Sequence, residues 1–271
     1  MWSAPAVVSR PRTELRQFAD LEELSEAAAG EFCRIACQAI AERRRCVVVL
    51  TGGSTPRRLY ELLTTDRYRH RVAWDRVEFF WGDERAVPPD DRDSNFRMAD
   101  DILLEPLAIS RAHIHRIEGE RNDLDAAALA YEREIARVFG VLPDGPPPAF
   151  DLVLLGMGAD GHIASLFPGT DVSAESPRWV VPQYAPAIAA NRLTMTPRLL
   201  NAARHVMFLV AGTEKADALA LVLEGVRDPQ RLPAQMIELT SGVLVWFVDR
   251  GAAASLDAPR ELSVDSRVKR L

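Results

Sequence analysis

Apolar positions along the chain follow two different spacings. Short runs are apolar at nearly every position, which is typical of strands buried on both faces, and longer segments repeat apolar residues every three to four positions, as on one face of a helix. The predicted strands are CVVVL (46–50), VEFFW (77–81), DLVLL (151–155), HVMFLVA (205–211) and VLVWFV (243–248). The predicted helices are residues 21–43, a short helix from Pro56, residues 94–104, residues 124–138 and residues 213–223.

Strands and helices alternate over most of the chain, which predicts an α/β fold with a mostly parallel sheet and helices on both faces. We expect a single domain over residues 1–271, with residues 1–15 and 254–271 as peripheral or flexible ends. The segment DGPPPA (144–149) is too short to separate two domains. Because ligands bind beyond the carboxyl ends of the strands in such sheets, the functional residues should follow strands.

Composition and charge exclude some classes of protein. The formal net charge of −6 argues against a general binder of nucleic acid or of membrane surfaces, so neither partner is expected. The first residues lack the apolar core of a secretory signal, and no apolar stretch approaches the ~18 residues of a membrane span, so the expected location is the cytoplasm. Three residues, Cys33, Cys37 and Cys46, are interpreted as buried thiols. No set of side chains has metal-ligand spacing, and no metal is predicted.

The segment TGGSTPRRLY (51–60) follows a predicted strand and begins a helix. Gly52 and Gly53 let a ligand approach the backbone closely, and Ser54 or Thr55 can cap the helix. Free amides at a helix start form a site for phosphate or carboxylate. The alternative is an ordinary capped helix, and this segment alone favours neither interpretation.

The segment WGDERAVPPDDRDSN (81–95) places a charged triplet, Asp83, Glu84 and Arg85, directly after a strand. Such a triplet is usually a solvated turn, but its position on the predicted rim favours a functional role. Asp93, Ser94 or Asn95 is expected to cap the next helix.

A glycine cluster follows the strand DLVLL, in the sequence GMGADGHIASLFPG (156–169). Its glycines have the spacing G-x-G-x-x-G of a dinucleotide-binding turn, which requires a long crossover helix next. Pro168 limits any helix here to about two turns, so we interpret the segment as a catalytic loop. Asp160 and His162 lie in it, and an imidazole can act as acid or base near neutral pH. The alternative for His162 is a capping or supporting role.

Two cations follow other strand-like segments. Lys215 lies at a helix entrance in AGTEKADAL (211–219), and Arg192 lies in NRLTMTP (191–197). Either one alone would more often be surface charge, but together with a glycine-lined helix start they predict an anion site. His113 and His115 alternate in HIHRI and are expected to belong to an edge strand.

These segments together resemble the 6-phosphogluconolactonase family, which is related to the glucosamine-6-phosphate deaminases. The resemblance covers about residues 20–253 and depends on TGGSTP, WGDERAVP, DSN, LLGMGADGHIASLFPG, NRLTMTP, GTEKADAL and LPAQMI, in that order. It implies a Rossmann-like, doubly wound sheet, a small sugar-phosphate lactone as substrate, and activity without a metal or nucleotide cofactor. One departure is Ile163, where the lactonase loop commonly has threonine.

The resemblance also implies residue roles. By resemblance the catalytic residues are His162 as general base, Asp160 as its neighbouring acid, and Asp83 and Arg85 as groups beside the lactone. By resemblance the substrate phosphate is held by Gly52, Gly53, Ser54, Arg192 and Lys215. Which aspartate orients the imidazole, and whether Arg85 stabilises the oxyanion or binds phosphate, stays open at this point.

Three other functions are alternatives. A deaminase acting on glucosamine 6-phosphate needs a further acid or base, and that family has a glutamate five residues beyond the loop histidine, where this chain has Phe167. A non-catalytic sugar-phosphate sensor would need neither Asp160 nor His162. An NAD-dependent dehydrogenase is suggested only by the glycine spacing. The expected assembly is a monomer or a small homo-oligomer.

Overall fold

The structure is a computed structural model that describes residues 11–169, 177–185 and 189–257. Its strands are Arg12–Phe18 (β1), Cys46–Leu50 (β2), Val77–Trp81 (β3), Asp83–Arg85 (β4), Leu152–Gly156 (β5), Val180–Ala185 (β6), Ala190–Met195 (β7), His205–Val210 (β8) and Val243–Asp249 (β9). Its α-helices are Leu21–Arg43 (α1), Ser54–Leu63 (α2), Asp66–Arg69 (α3), Asn95–Ala99 (α4), Leu124–Phe139 (α5), Pro197–Leu200 (α6) and Ala216–Glu224 (α7). The turn Asp100–Leu104 extends α4 as a π-helix, and a 3₁₀ turn, Thr213–Lys215, precedes α7.

A six-stranded sheet has the order β1–β9–β8–β5–β2–β3, and every pairing in it is parallel. The predicted α/β fold with a mostly parallel sheet is confirmed. The chain runs outward from β2 to β3 and then returns to the other side of β2 as β5. The connections that follow the adjacent strands β2 and β5 therefore leave the sheet in opposite directions. The gap between them is the crevice where ligands bind in such sheets.

Apolar burial explains why the central strands could be identified from sequence. All five residues of β2 are buried, as are Leu152 to Leu155 of β5, so neither face of these strands meets water. The bounds predicted for α1, β2 and β3 match those in the structure. Helix α2 begins at Ser54 rather than at Pro56, which lies within its first turn.

Strand β1 was not predicted, and residues 12–15, which were expected to be peripheral, lie within it. Its sequence RTELRQF mixes charged and apolar residues because β1 is an edge strand that pairs only with β9 in the sheet. None of its residues is fully buried, so it lacks the continuous apolar run of a buried strand.

A second sheet of three antiparallel strands, in the order β4–β7–β6, was also not predicted. Its shortest strand, β4, contains the charged triplet of residues 83–85. Asp83 and Glu84 are buried, so the alternative of a solvated turn does not hold for them.

Two smaller expectations are corrected. Cys33 and Cys46 are buried as predicted, but Cys37 is exposed and its Sγ donates to the carbonyl of Arg71, where α1 meets a neighbouring turn. His113 and His115 do not form an edge strand, because the segment makes a single bridge to β3, between Ile114 and Phe79. The residues after 257 lie outside the described residues. No described helix is long and apolar enough to cross a membrane.

Candidate active site

A cavity of about 350 Å³ opens at the crevice beside β2 and β5. Its lining comes from segments that follow four strands of the main sheet, as the position of ligand sites in such sheets predicts. The structure brings all nine sequence-predicted site residues to this one cavity: Gly52, Gly53, Ser54, Asp83, Arg85, Asp160, His162, Arg192 and Lys215.

One wall of the cavity is the start of α2. The helix cap is Gly53, with a φ of 100° that favours glycine, and no described side chain caps this end. The expectation that Ser54 or Thr55 caps the helix is therefore wrong, since Ser54 is already the first helical residue. The first-turn amides and the positive end of the helix dipole face the cavity without a competing side chain, which suits an anion.

Gly52 is required by close packing at this wall. A Cβ at this position would lie 1.8 Å from Oδ1 of Asn95, so any side chain at residue 52 would displace the Asn95 amide group. The backbone after β2 and the side chain of Asn95 are thus in direct contact, which fixes the helix start relative to α4.

Two arginines lie side by side on the second sheet. Arg85 of β4 is the register partner of Arg192 of β7, and the Nε atoms of both are buried without a hydrogen-bond partner among the described residues. Burial, together with the nearby charge of Arg85, lowers the pKa of Arg192. The guanidinium of Arg85 donates to the carbonyl of Asp93. Adjacent like charges that are partly desolvated cost free energy, and a bound anion would offset that cost.

His162 and Asp160 form a close pair on the loop after β5. Nδ1 of His162 lies 2.5 Å from Oδ1 of Asp160, and the His162 amide donates to the same oxygen at 3.2 Å. A carboxylate at Nδ1 favours the tautomer with its proton there, which places the lone pair on Nε2. The ring also packs against Phe167, with 4.8 Å between the centroids.

Gly158 makes room for this pair. A Cβ at residue 158 would lie 2.0 Å from Nδ1 of His162 and 2.5 Å from Oδ1 of Asp160. Gly158, the second glycine of the cluster, therefore leaves the space that the imidazole and the carboxylate occupy.

The chain after Gly161 forms a tight turn. Ile163 and Leu166 exchange backbone hydrogen bonds across it, and Ala164 has a φ of 46°. A dinucleotide-binding turn would continue into a crossover helix at this point. The geometry therefore agrees with the catalytic-loop interpretation of the three glycines. Among the described residues, no group of three or more histidine, cysteine, aspartate or glutamate side chains could hold a metal ion.

The comparison with known families decides the identity of this fold and site. The model of the family described as glucosamine-6-phosphate isomerases/6-phosphogluconolactonase matches residues 19–246. The chain belongs to this family. The resemblance stated from its motifs is confirmed.

Several relatives within the glucosamine-6-phosphate isomerase/6-phosphogluconolactonase family carry the lactonase name. The 6-phosphogluconolactonase of Synechocystis sp. is 42% identical over 219 residues, which cover 81% of this chain and 88% of that protein. The Mycobacterium leprae protein of the same name is 38% identical over 244 residues, with 88% and 96% covered. The crystal structure of 6-phosphogluconolactonase from Thermotoga maritima superposes with a TM-score of 0.75 at 30% identity, covering 88% of this chain and 99% of that one.

Two buried side chains of this family member were missed as site residues by sequence reasoning. Ser165 donates to Oδ2 of Asp83 at 2.6 Å, and Asn95 donates to Oδ1 of the same carboxylate at 3.2 Å. Asn95 was considered only as a helix cap, a role that Ser94 fills. The only sequence signal was their place beside other candidate residues, since serine and asparagine are common in loops.

The carboxyl group of Asp160 gives a direct prediction. The hydrogen bond from His162 is the main reason that the pKa of Asp160 falls from 3.8 to about 2. Because the folded-state pKa is depressed, this pair stabilises the fold above about pH 4 and loses that contribution as the pH falls toward 2. We expect the Asp160 signal in a ¹³C NMR titration to stay at its ionised value down to pH 3. In His162→Ala it should begin to titrate near pH 4, and a wild-type midpoint near pH 4 would contradict the pairing.

Proposed function

We propose that this protein hydrolyses 6-phospho-D-glucono-1,5-lactone to 6-phospho-D-gluconate, a step of the oxidative pentose phosphate pathway. The observation that carries the proposal is one cavity lined by two chemically different sets of groups, which we call the base end and the anion end. The His162–Asp160 pair lies on one segment of its wall, and the cations Arg192 and Lys215 lie on others, together with the uncapped start of α2. The names of the relatives support the same reaction.

The anion end suits a phosphate ester. Backbone amides at Gly53 and Ser54 supply donors along the helix dipole, and Lys215 supplies a point charge. The planar guanidinium of Arg192 can donate two parallel hydrogen bonds to phosphate oxygens. The Nε of Arg192 has no partner among the described residues, and the pKa of Arg192 is lowered, which supports a guanidinium that gains a partner when the substrate binds.

The other end suits attack on an ester carbonyl. Nε2 of His162 takes a proton from water while the water oxygen bonds to C1 of the lactone, and the carbonyl oxygen becomes an oxyanion. Collapse of this intermediate breaks the bond between C1 and the ring oxygen, which receives the proton from the imidazolium. Because the lactone also opens without a catalyst, one base and good positioning can supply the acceleration.

The hydrogen bonds of Asp160 and Asp83 support different roles for these two carboxylates. Asp160 orients the imidazole, since its carboxylate contacts Nδ1, whereas the carboxylate oxygens of Asp83 accept from Ser165 and Asn95. We assign Arg85 to the developing oxyanion, because Arg85 lines the cavity and its guanidinium is fixed by a hydrogen bond to the Asp93 carbonyl.

The experiment generates the lactone in situ and follows its disappearance with and without the protein, against spontaneous hydrolysis. We expect disappearance to accelerate in proportion to protein concentration, with 6-phosphogluconate as the product. The same protein incubated with glucosamine 6-phosphate should release no ammonia. Ammonia release without lactone hydrolysis would overturn the proposal in favour of the deaminase reaction.

A further inference from the structure

We propose that Ser165 is a positioning residue for this reaction, acting through Asp83 to hold the His162 loop at a fixed place in the cavity. The kinetic test of this inference rests on the proposed function, whereas the inference itself is drawn from hydrogen bonds and burial. In this arrangement the carboxylate of Asp83 binds both the loop that contains His162 and the side chain that packs on the start of α2.

The carboxylate of Asp83 is held from two sides. Its Oδ2 accepts from the Ser165 hydroxyl at 2.6 Å, and its Oδ1 accepts from the Asn95 amide at 3.2 Å. Asn95 also donates to the Asp83 carbonyl, at 2.9 Å. Ser165 is fully buried, and Asp83 and Asn95 are 5% and 2% exposed, so water competes little for these hydrogen bonds.

Ser165 connects the loop to both neighbouring strands of the second sheet. Its amide donates to Oγ1 of Thr194 at 3.3 Å, and Thr194 is the register partner of Asp83. The loop is thus attached at one residue to β4 through a side chain and to β7 through the backbone.

The attachment of Ser165 also restricts the position of the His162 imidazole. His162 lies three residues before Ser165, and the reciprocal hydrogen bonds of Ile163 and Leu166 make the intervening turn rigid. Along β4, Asp83 lies two residues before Arg85, so the same strand sets the loop and the guanidinium. The Ser165–Asp83 bond therefore sets the distance between the base and the groups it must work with.

On the other side of Asp83, Asn95 connects this carboxylate to the segment that begins α2, at the anion end. Its Oδ1 lies where a Cβ of Gly52 would be, so Asn95 packs directly on the backbone that leads into α2. One carboxylate consequently joins the loop after β5 to the segment after β2. Misplacement of a catalytic group by about 1 Å can cost about 100-fold in rate, so a missing bond at this anchor has a large effect on turnover.

The test compares Ser165→Ala with Ser25→Ala. Ser25 is equally buried, but its Oγ has no partner among the described residues and it does not line the cavity, so its loss controls for deleting a buried hydroxyl. We expect Ser165→Ala to lower kcat by about 10- to 100-fold with KM changed less than about threefold. Ser25→Ala should keep both constants.

Two further measurements separate positioning from simple loss of folded protein. Inorganic phosphate, titrated by calorimetry, should bind Ser165→Ala with the wild-type stoichiometry, and the ¹⁵N NMR shifts of the His162 ring should change. If Ser165→Ala does not fold, Ser165→Cys, whose thiol is a weak donor, should give an intermediate kcat.

A wild-type kcat in either variant of Ser165 would overturn the inference. So would a loss of phosphate-binding sites in proportion to the loss of activity in both Ser165→Ala and Ser165→Cys, because that result indicates a role in folding alone. If the wild-type protein hydrolyses no lactone, the proposed function fails, and unchanged imidazole shifts in Ser165→Ala would then separately refute the positioning role.

Discussion

His162→Ala is expected to lower kcat/KM for lactone hydrolysis by about 10²- to 10⁴-fold, the range that a positioned general base contributes. The imidazole is the cavity-lining group whose tautomer is set by a carboxylate at 2.5 Å. Its removal leaves the anion end intact, so KM should change little while kcat falls. Initial rates of lactone disappearance, corrected for spontaneous hydrolysis, measure both constants.

His70→Ala is the matched control for this prediction. His70 is exposed and does not line the cavity, so its loss should leave the kinetic constants unchanged. A second check is inorganic phosphate, which should bind His162→Ala as it binds the wild type. Retention of the wild-type kcat/KM in a folded His162→Ala protein would remove His162 from the mechanism.

Arg192→Met is expected to raise KM by about 10- to 100-fold without destabilising the ligand-free protein. A hydrogen bond to a charged group contributes about 1.5–3 kcal/mol, which sets the expected range of KM. In the ligand-free state the Nε of Arg192 is buried without a described partner, and Arg85 lies opposite it. Methionine keeps the packing of the side-chain stem and removes the desolvated charge. The free energy of unfolding should therefore stay the same or rise.

Urea unfolding and steady-state kinetics on the same preparation test both parts of this prediction. Arg198→Met is the control, since the Nε of Arg198 is also buried and without a described partner, but Arg198 does not line the cavity. Arg198→Met should leave KM unchanged. A wild-type KM in Arg192→Met would show that phosphate binds elsewhere, and a large loss of stability would show a structural role for the charge.

The central fold was predictable because burial on both faces leaves a strong mark on sequence. Strands β2 and β3 and helix α1 have the predicted bounds, since apolar spacing is a local feature of the sequence. Strand β1 could not be predicted, because its residues are exposed or half-buried and several are charged, whereas a buried strand has apolar residues at nearly every position.

The sequence also predicted that nine residues would lie together at one edge of the sheet, but it did not predict the contacts between them. Parallel strands bring their carboxyl ends to one edge, so residues after β2, β5 and β8 had to lie near each other. The second sheet, however, forms between residues 83–85 and residues 190–195, which are distant in sequence. The pairing of Arg85 with Arg192 and the burial of Asp83 follow from that sheet.

By itself, the sequence determined the α/β fold, the central strands and nine of the residues around the cavity. These depend on periodicity and on glycine, proline and charge at fixed positions, which act locally along the chain. Only the tertiary structure decided that Asp160 contacts Nδ1 of His162, that Ser165 and Asn95 donate to Asp83, and that Gly53 caps α2. The two bonds of Asp83 join residues that are 82 and 12 positions apart in sequence, so only folding brings them together. The Asp160–His162 bond is local, but it depends on side-chain rotamers and loop geometry that residue patterns do not specify.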